Sequence, residues 1–192
     1  RNFVHRDIKP DNIFIRSDDT PVLLDFGAAR QALCNVPGSH TAVLTEGYAP
    51  FEQYSRKGNQ GPWSDIYALG AVMLQCVTGK TPVDAPQRAT ARLRNIPDPI
   101  SQDFALMRAR VSPEFARAVE SAMRVVEEER PQTVAELRQL IVGPAREMQR
   151  PSASAGPPPP AVTLVPDIAR SPASQTPANG ARRGRLLRDL CC

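Results

Sequence analysis

The chain has 192 residues, room for one domain with a tail, and 41% of them are apolar, enough to build a core. Its net charge of +4 is a tail property: Arg182, Arg183, Arg185 and Arg188 crowd into the closing RRGRLLRDL, the rest is close to neutral, and a nucleic-acid-binding domain is not indicated. Cys34, Cys76, Cys191 and Cys192 have neither zinc spacing nor the density of a disulfide framework, which suits a reducing cytoplasm, and the longest uncharged proline-free run, Ile66 to Gly79, is too short for a bilayer span.

In chain order, the first polar cluster is FVHRDIKPDNIFI. It sets His5, Arg6, Asp7, Lys9, Asp11 and Asn12 between the apolar pairs Phe3-Val4 and Ile13-Phe14. A hairpin follows: a β-rich run at Ile13 to Ile15, turn formers from Ser17 to Pro21, and a second run at Val22 to Leu24. Asp7, Asn12 and Asp25 then fall on loops bounding two paired strands. Gly27 to Glu46 reads as a long loop of the kind that carries function. From Ser64 the pattern turns helical. Ser112 is a candidate N-cap with Pro113 at the first helical position, and Phe115, Ala118, Val119, Ala122 and Val126 share a face. Thr133 and Glu136 have capping-box spacing ahead of Leu137, Leu140 and Ile141, and Gly143-Pro144 stops that helix. Residues 146–192 are rich in Pro, Ala, Ser and Arg and hold no aromatic residue, so they read as a disordered tail or linker. Its GPPPPAV stretch fits a flexible linker better than an adaptor ligand, and the terminal Cys191-Cys192 reads as an unmodified pair. The fold class is α+β, mainly helical, with a small hairpin at the site.

By residue type alone, Asp7, Asn12 and Asp25 offer hard oxygen ligands suited to Mg²⁺, and Lys9 is a compact cation for a phosphoryl group. Phosphoryl transfer asks for metal, positioning, a proton acceptor and positive charge near the transferring group. The same residues resemble a known family. His5-Arg6-Asp7-Ile8-Lys9-Pro10-Asp11-Asn12 is similar to the catalytic loop of protein kinases, and Asp25-Phe26-Gly27 to their magnesium motif. TEGYAPFE, Thr45 to Glu52, resembles the end of the activation segment, WSDIYALG the start of the large central helix, and Arg130-Pro131 the arginine before the last helix. GYAPFEQY with GPWSDIYALGAVM, and Lys9 two residues past Asp7, resemble the bacterial serine/threonine branch.

The resemblance implies roles position by position. Asp7 accepts the proton of the substrate hydroxyl, and Lys9 steadies the γ-phosphate of ATP. Asn12 and Asp25 hold Mg²⁺, with Mn²⁺ as a substitute. His5 and Phe26 pack together ahead of Gly27, Thr45 lines the substrate groove near Asp7, and Asp65 holds the backbone of the catalytic loop. Glu52 and Arg130 form a buried ion pair, although Ala49-Pro50-Phe51-Glu52 carries an extra residue before the glutamate. Arg6 is expected to bind a phosphate on Ser39 or Thr41, whereas Cys34 reads as a plain exposed thiol. Asp11, Asp18 and Asp19 receive no catalytic role.

The partners implied are ATP and a protein substrate presenting Ser or Thr, with no nucleic acid and no membrane segment in the chain. The family's Gly-rich loop and strand lysine precede the catalytic loop, and the sequence contains no G-x-G-x-x-G. Residues 1–145 are therefore expected to be the C-lobe without its N-lobe, inactive alone, with the face toward that lobe open. A half-kinase or pseudokinase acting as a binding or regulatory module is the alternative.

Overall fold

The computed structural model of the chain describes residues 4–26, 44–55, 57–143 and 185–187. A 3-10 turn over Pro10–Asn12 runs directly into strand β1 (Ile13–Ile15), and a short turn leads back through strand β2 (Pro21–Leu23). The strands are antiparallel, with Ile13 opposite Leu23, Phe14 opposite Val22 and Ile15 opposite Pro21. Thus the expected hairpin is present, its second strand one residue earlier than the β-rich run suggests. The Asp18 carboxylate accepts the Thr20 N–H at 3.1 Å and closes the turn. Hydrogen bonding from Thr20 holds that carboxyl below its usual range, as befits a turn former.

The other edge of β1 carries a third strand, β3 (Arg185–Leu186), also antiparallel, with Phe14 opposite Leu186 and Ile15 opposite Arg185. The sheet order is β2-β1-β3. The expectation of a structureless segment over 146–192 therefore needs correction at residues 185–187. An open edge of β1 presents unpaired N–H and C=O groups, and an extended apolar pair can satisfy them. Residues 144–184 and 188–192, with Cys191 and Cys192, lie outside the described residues.

Five α-helices make up most of the remaining described structure. They are α1 (Pro62–Thr78), α2 (Ala85–Leu93), α3 (Ser101–Arg108), α4 (Pro113–Ala122) and α5 (Val134–Val142). Their starts are local chemistry. Asp84 accepts the Gln87 N–H at 3.3 Å, Ser112 the Phe115 N–H at 3.2 Å, and Thr133 the Glu136 N–H at 3.1 Å. Glu136 completes the last cap by accepting the Gln132 N–H at 2.8 Å.

Helix α1 is the centre of the core, with Ile66, Tyr67, Ala68, Ala71, Val72 and Leu74 buried. Helix α4 meets it through Ala118, Val119 and Ala122. A Cβ on Gly70 would stand 2.9 Å from Met123 Cγ and 3.0 Å from Ala122 Cβ, so the two helices approach as closely as they do because position 70 has no side chain. Helix α5 adds Leu137 and Ile141 to Ile66, Ala118 and Ala122. Two members of the expected apolar faces stand apart. Val126 lies past the end of α4 in extended backbone, and Leu140 is 42% exposed because only the Leu137–Ile141 stripe of α5 faces the core. Among the described residues, no helix is long and apolar enough to cross a membrane.

Candidate active site

The 3-10 turn at Pro10–Asn12 folds the chain back on itself, so that Asn12 reaches the residue five positions earlier. Its Nδ2 donates to the Asp7 carbonyl at 2.8 Å and to Asp7 Oδ2 at 2.9 Å. Lys9 Nζ lies 3.0 Å from the same Oδ2. Thr45 arrives from a distant stretch of chain. Its hydroxyl donates to Asp7 Oδ1 at 3.1 Å and accepts from Lys9 Nζ at 3.2 Å. Among the described residues every partner of the Asp7 carboxylate is a donor, so both oxygens act as acceptors, and Asn12, Lys9 and Thr45 fix its orientation.

Asn12 is buried and its Nδ2 is turned to Asp7, so Oδ1 is the end of the amide directed away from Asp7. The Leu24 N–H donates to the Asn12 carbonyl at 2.7 Å, which brings the start of the next segment beside Asn12. Asp25 follows with a left-handed backbone, φ 55°, and an exposed side chain. An amide oxygen just before β1 and an exposed carboxylate just past β2 are the donor types that suit a hard divalent cation keeping water and phosphate oxygens as its other ligands. Among the described residues there is no group of three or more His, Cys, Asp or Glu side chains that would hold a metal without such help.

His5 ties these pieces together from behind. It is buried, and its Nε2 lies 3.0 Å from the Leu24 carbonyl while Nδ1 accepts the Asp7 N–H at 3.3 Å. A carbonyl only accepts and a backbone N–H only donates, so the ring carries its proton on Nε2. Its face meets Phe26 edge-on, with centroids 4.7 Å apart. One turn into α1, Asp65 Oδ2 accepts the His5 N–H at 2.7 Å and Oδ1 the Arg6 N–H at 2.9 Å. That clamp holds Arg6 at φ 71°, a conformation unfavourable for a side chain with a Cβ. Burial pushes the Asp65 carboxyl above its ordinary 3.8, and the two N–H groups pull it part of the way back.

A second buried site secures the segment from Leu44 to Ser55. Arg130 Nη1 lies 2.8 Å from Glu52 Oε1 and Nη2 3.0 Å from Oε2, with both side chains almost wholly buried. The remaining guanidinium hydrogens go to the carbonyls of Arg124, Val125 and Trp63, and Ser64 Oγ donates to Glu52 Oε1 at 2.7 Å. The guanidinium also lies 4.8 Å from the centroid of the Tyr67 ring. The extra residue before Glu52 thus leaves the pair intact. Gly47, at φ 82°, threads between Thr81 and Pro82, where a Cβ would approach each to 2.7 Å.

Three features here are absent from the sequence reading. Gln53 Nε2 donates to the Arg6 carbonyl at 3.2 Å, joining the two loops directly. The Tyr48 hydroxyl is hydrogen-bonded to Gln75. Arg88 is buried and fully engaged, by Asp98 in a fork, by the Tyr67 hydroxyl at 3.1 Å and by the Met123 carbonyl at 2.7 Å. No local signal marks it among the arginines of α2. Gly27, Cys34, Ser39 and Thr41 lie outside the described residues. Asp7, Lys9, Asn12 and Thr45 are in direct contact, and the clamp and buried pair expected of Asp65, Glu52 and Arg130 are present as contacts.

Comparison with known proteins agrees with this geometry. A family model described as "Protein kinase domain" matches residues 1–141. Serine/threonine-protein kinase Pkn1 of Myxococcus xanthus is 34% identical over 97% of this chain and 27% of its own length. Serine/threonine-protein kinase PknA of Nostoc sp. is 43% identical over 43% of this chain and 15% of its own length. The chain therefore spans at most 27% of either kinase. A solved structure titled "PpkA-294 apo form" superposes with a TM-score of 0.56 at 40% identity, covering 72% of this chain and 46% of that one. The chain belongs to the protein kinase family, and bacterial serine/threonine kinases are among its relatives.

Proposed function

We propose that this chain supplies the proton acceptor, the metal ligands and the substrate groove of an ATP- and Mg²⁺-dependent serine/threonine protein kinase. The observation that carries the reading is the contact network in which Lys9, Asn12 and Thr45 converge on the carboxylate of Asp7. A cleft of about 610 Å³, lined by Lys9, Asp11, Thr45, Glu46, Tyr48 and Gln75, opens beside it and suits an extended protein segment.

In this reading Asp7 orients the Ser or Thr hydroxyl and takes its proton as the oxygen bonds to the γ-phosphorus of ATP and the bond to the ADP oxygen breaks. Lys9, anchored on the same carboxylate, places its ammonium against the charge on the phosphoryl group. Thr45 fixes both and borders the groove. Asn12 and Asp25 are the residues that would hold Mg²⁺, or Mn²⁺ in its place, and the ion would supply neutralisation of charge on the phosphate oxygens. Arg6, which precedes Asp7, would bind a phosphate on Ser39 or Thr41; mapping phosphosites on the active protein tests this, and an unmodified loop in a fully active kinase refutes it.

The decisive test of the proton-acceptor role is Asp7→Asn in the protein that carries this chain together with a nucleotide-covering lobe. Phosphate transfer to a Ser/Thr protein substrate should fall by at least about 10²-fold while the fold survives. Retained transfer would refute the role and favour a binding or regulatory module. The assembly is proposed to work in the cytoplasm.

A further inference from the structure

We propose that the outer edge of β1 is a strand-acceptor site occupied in cis by the segment Arg185–Leu187, and that this docking holds the turn carrying Asn12 in place. The inference does not depend on the kinase reading. Strands β1 and β2 have three residues each, and a two-stranded ribbon of that length is marginal in water. A third strand changes this, and β3 supplies it through the pairs Phe14–Leu186 and Ile15–Arg185. Leu187, half-buried just past the strand, packs against the main core cluster that includes Ile8 and Ile13. Strand β3 also lies against the Pro10–Asn12 turn itself. The contact therefore reaches the backbone that orients Asn12 from the side opposite β2.

The sequence of the docked segment fits the mode. Leu186-Leu187 is an apolar pair between Arg185 and Arg188. In strand addition, main-chain pairing supplies affinity and a few side chains supply selection. Residues 144–184 tether the segment to α5, so docking is intramolecular and needs little intrinsic affinity.

The test uses hydrogen exchange on the full chain, unaltered and as Leu186→Pro and Leu187→Asp. The amides of Ile13 to Ile15 should exchange about tenfold faster in both variants while those of α1 keep their protection. A synthetic ARRGRLLRDL peptide, residues 181–190, should restore protection when added in excess. A second measurement needs no substitution: backbone NMR contacts between Phe14 and Leu186 in the unaltered chain should persist on dilution. Unchanged exchange of β1 in both variants, absence of those NMR contacts, or their loss on dilution with a monomer–dimer change would overturn the proposal, the last assigning the strand to a second copy.

Discussion

Asp65 shows how one side chain governs a loop sixty positions away. Its two oxygens take one N–H each, from His5 and Arg6, and an amide at this position has only one acceptor. Asp65→Asn should cost about 1–3 kcal/mol, because one buried N–H then faces a donor. The substitution also removes a pH dependence. Burial raises the Asp65 pKa above 3.8 in the folded protein, so between 3.8 and that raised value the folded state binds more protons than the unfolded one. Stability contributed by this group is therefore present at low pH and lost as pH rises through the folded pKa. Denaturant unfolding across the acid range should show this falling contribution in the unaltered chain and not in Asp65→Asn; equal slopes would refute the burial argument.

At the scale of elements, two junctions set the architecture. The first is the Glu52–Arg130 pair, which binds the segment after Thr45 to the start of α1 and to the loop before α5. Glu52→Gln should destabilise by about 3–5 kcal/mol, since a buried guanidinium loses its counter-charge. The double variant Glu52→Leu with Arg130→Met should not recover that loss, because Arg130 also serves the carbonyls of Arg124, Val125 and Trp63. Full recovery in equilibrium unfolding would show that those carbonyl bonds contribute nothing. The second junction is Gly70. Alanine in a helix interior ordinarily gains about 1 kcal/mol over glycine. Here Gly70→Ala should lose stability instead, and Gly70→Val should lose more, about 1–3 kcal/mol, because Ala122 Cβ moves only with the α4 backbone. A rise in melting temperature for Gly70→Ala would show that α1 and α4 can separate freely.

For the whole molecule, the apolar surface beside the site matters most. Leu24 and Phe26 are 39% and 45% exposed where the sheet meets the proposed nucleotide position. The sequence has no G-x-G-x-x-G to cover phosphates. These 192 residues by themselves should therefore show no phosphate transfer above background in a radiolabelled-ATP assay, and addition of a separately expressed nucleotide-covering lobe should raise it. Transfer by the chain alone would overturn that view of the division of labour.

The sequence by itself determined what depends on neighbours three or four residues away. The Ser112 and Thr133 caps, the Asp18 turn and the β1–β2 hairpin all rest on short-range hydrogen bonds, and residue type alone announces them. Asp7, Lys9 and Asn12 belong to the same class, since one turn of chain joins them. The positions of Thr45, Asp65, Glu52 and Arg130 were legible only through family resemblance, because their contacts cross tens of residues. Tertiary structure alone decided the rest. Arg88 is buried because Asp98, Tyr67 and Met123 converge on it, and an arginine among arginines carries no mark of that. Strand β3 exists because β1 has an edge to satisfy, and a segment as short as Arg185–Leu187 becomes a strand only where a partner is already in place.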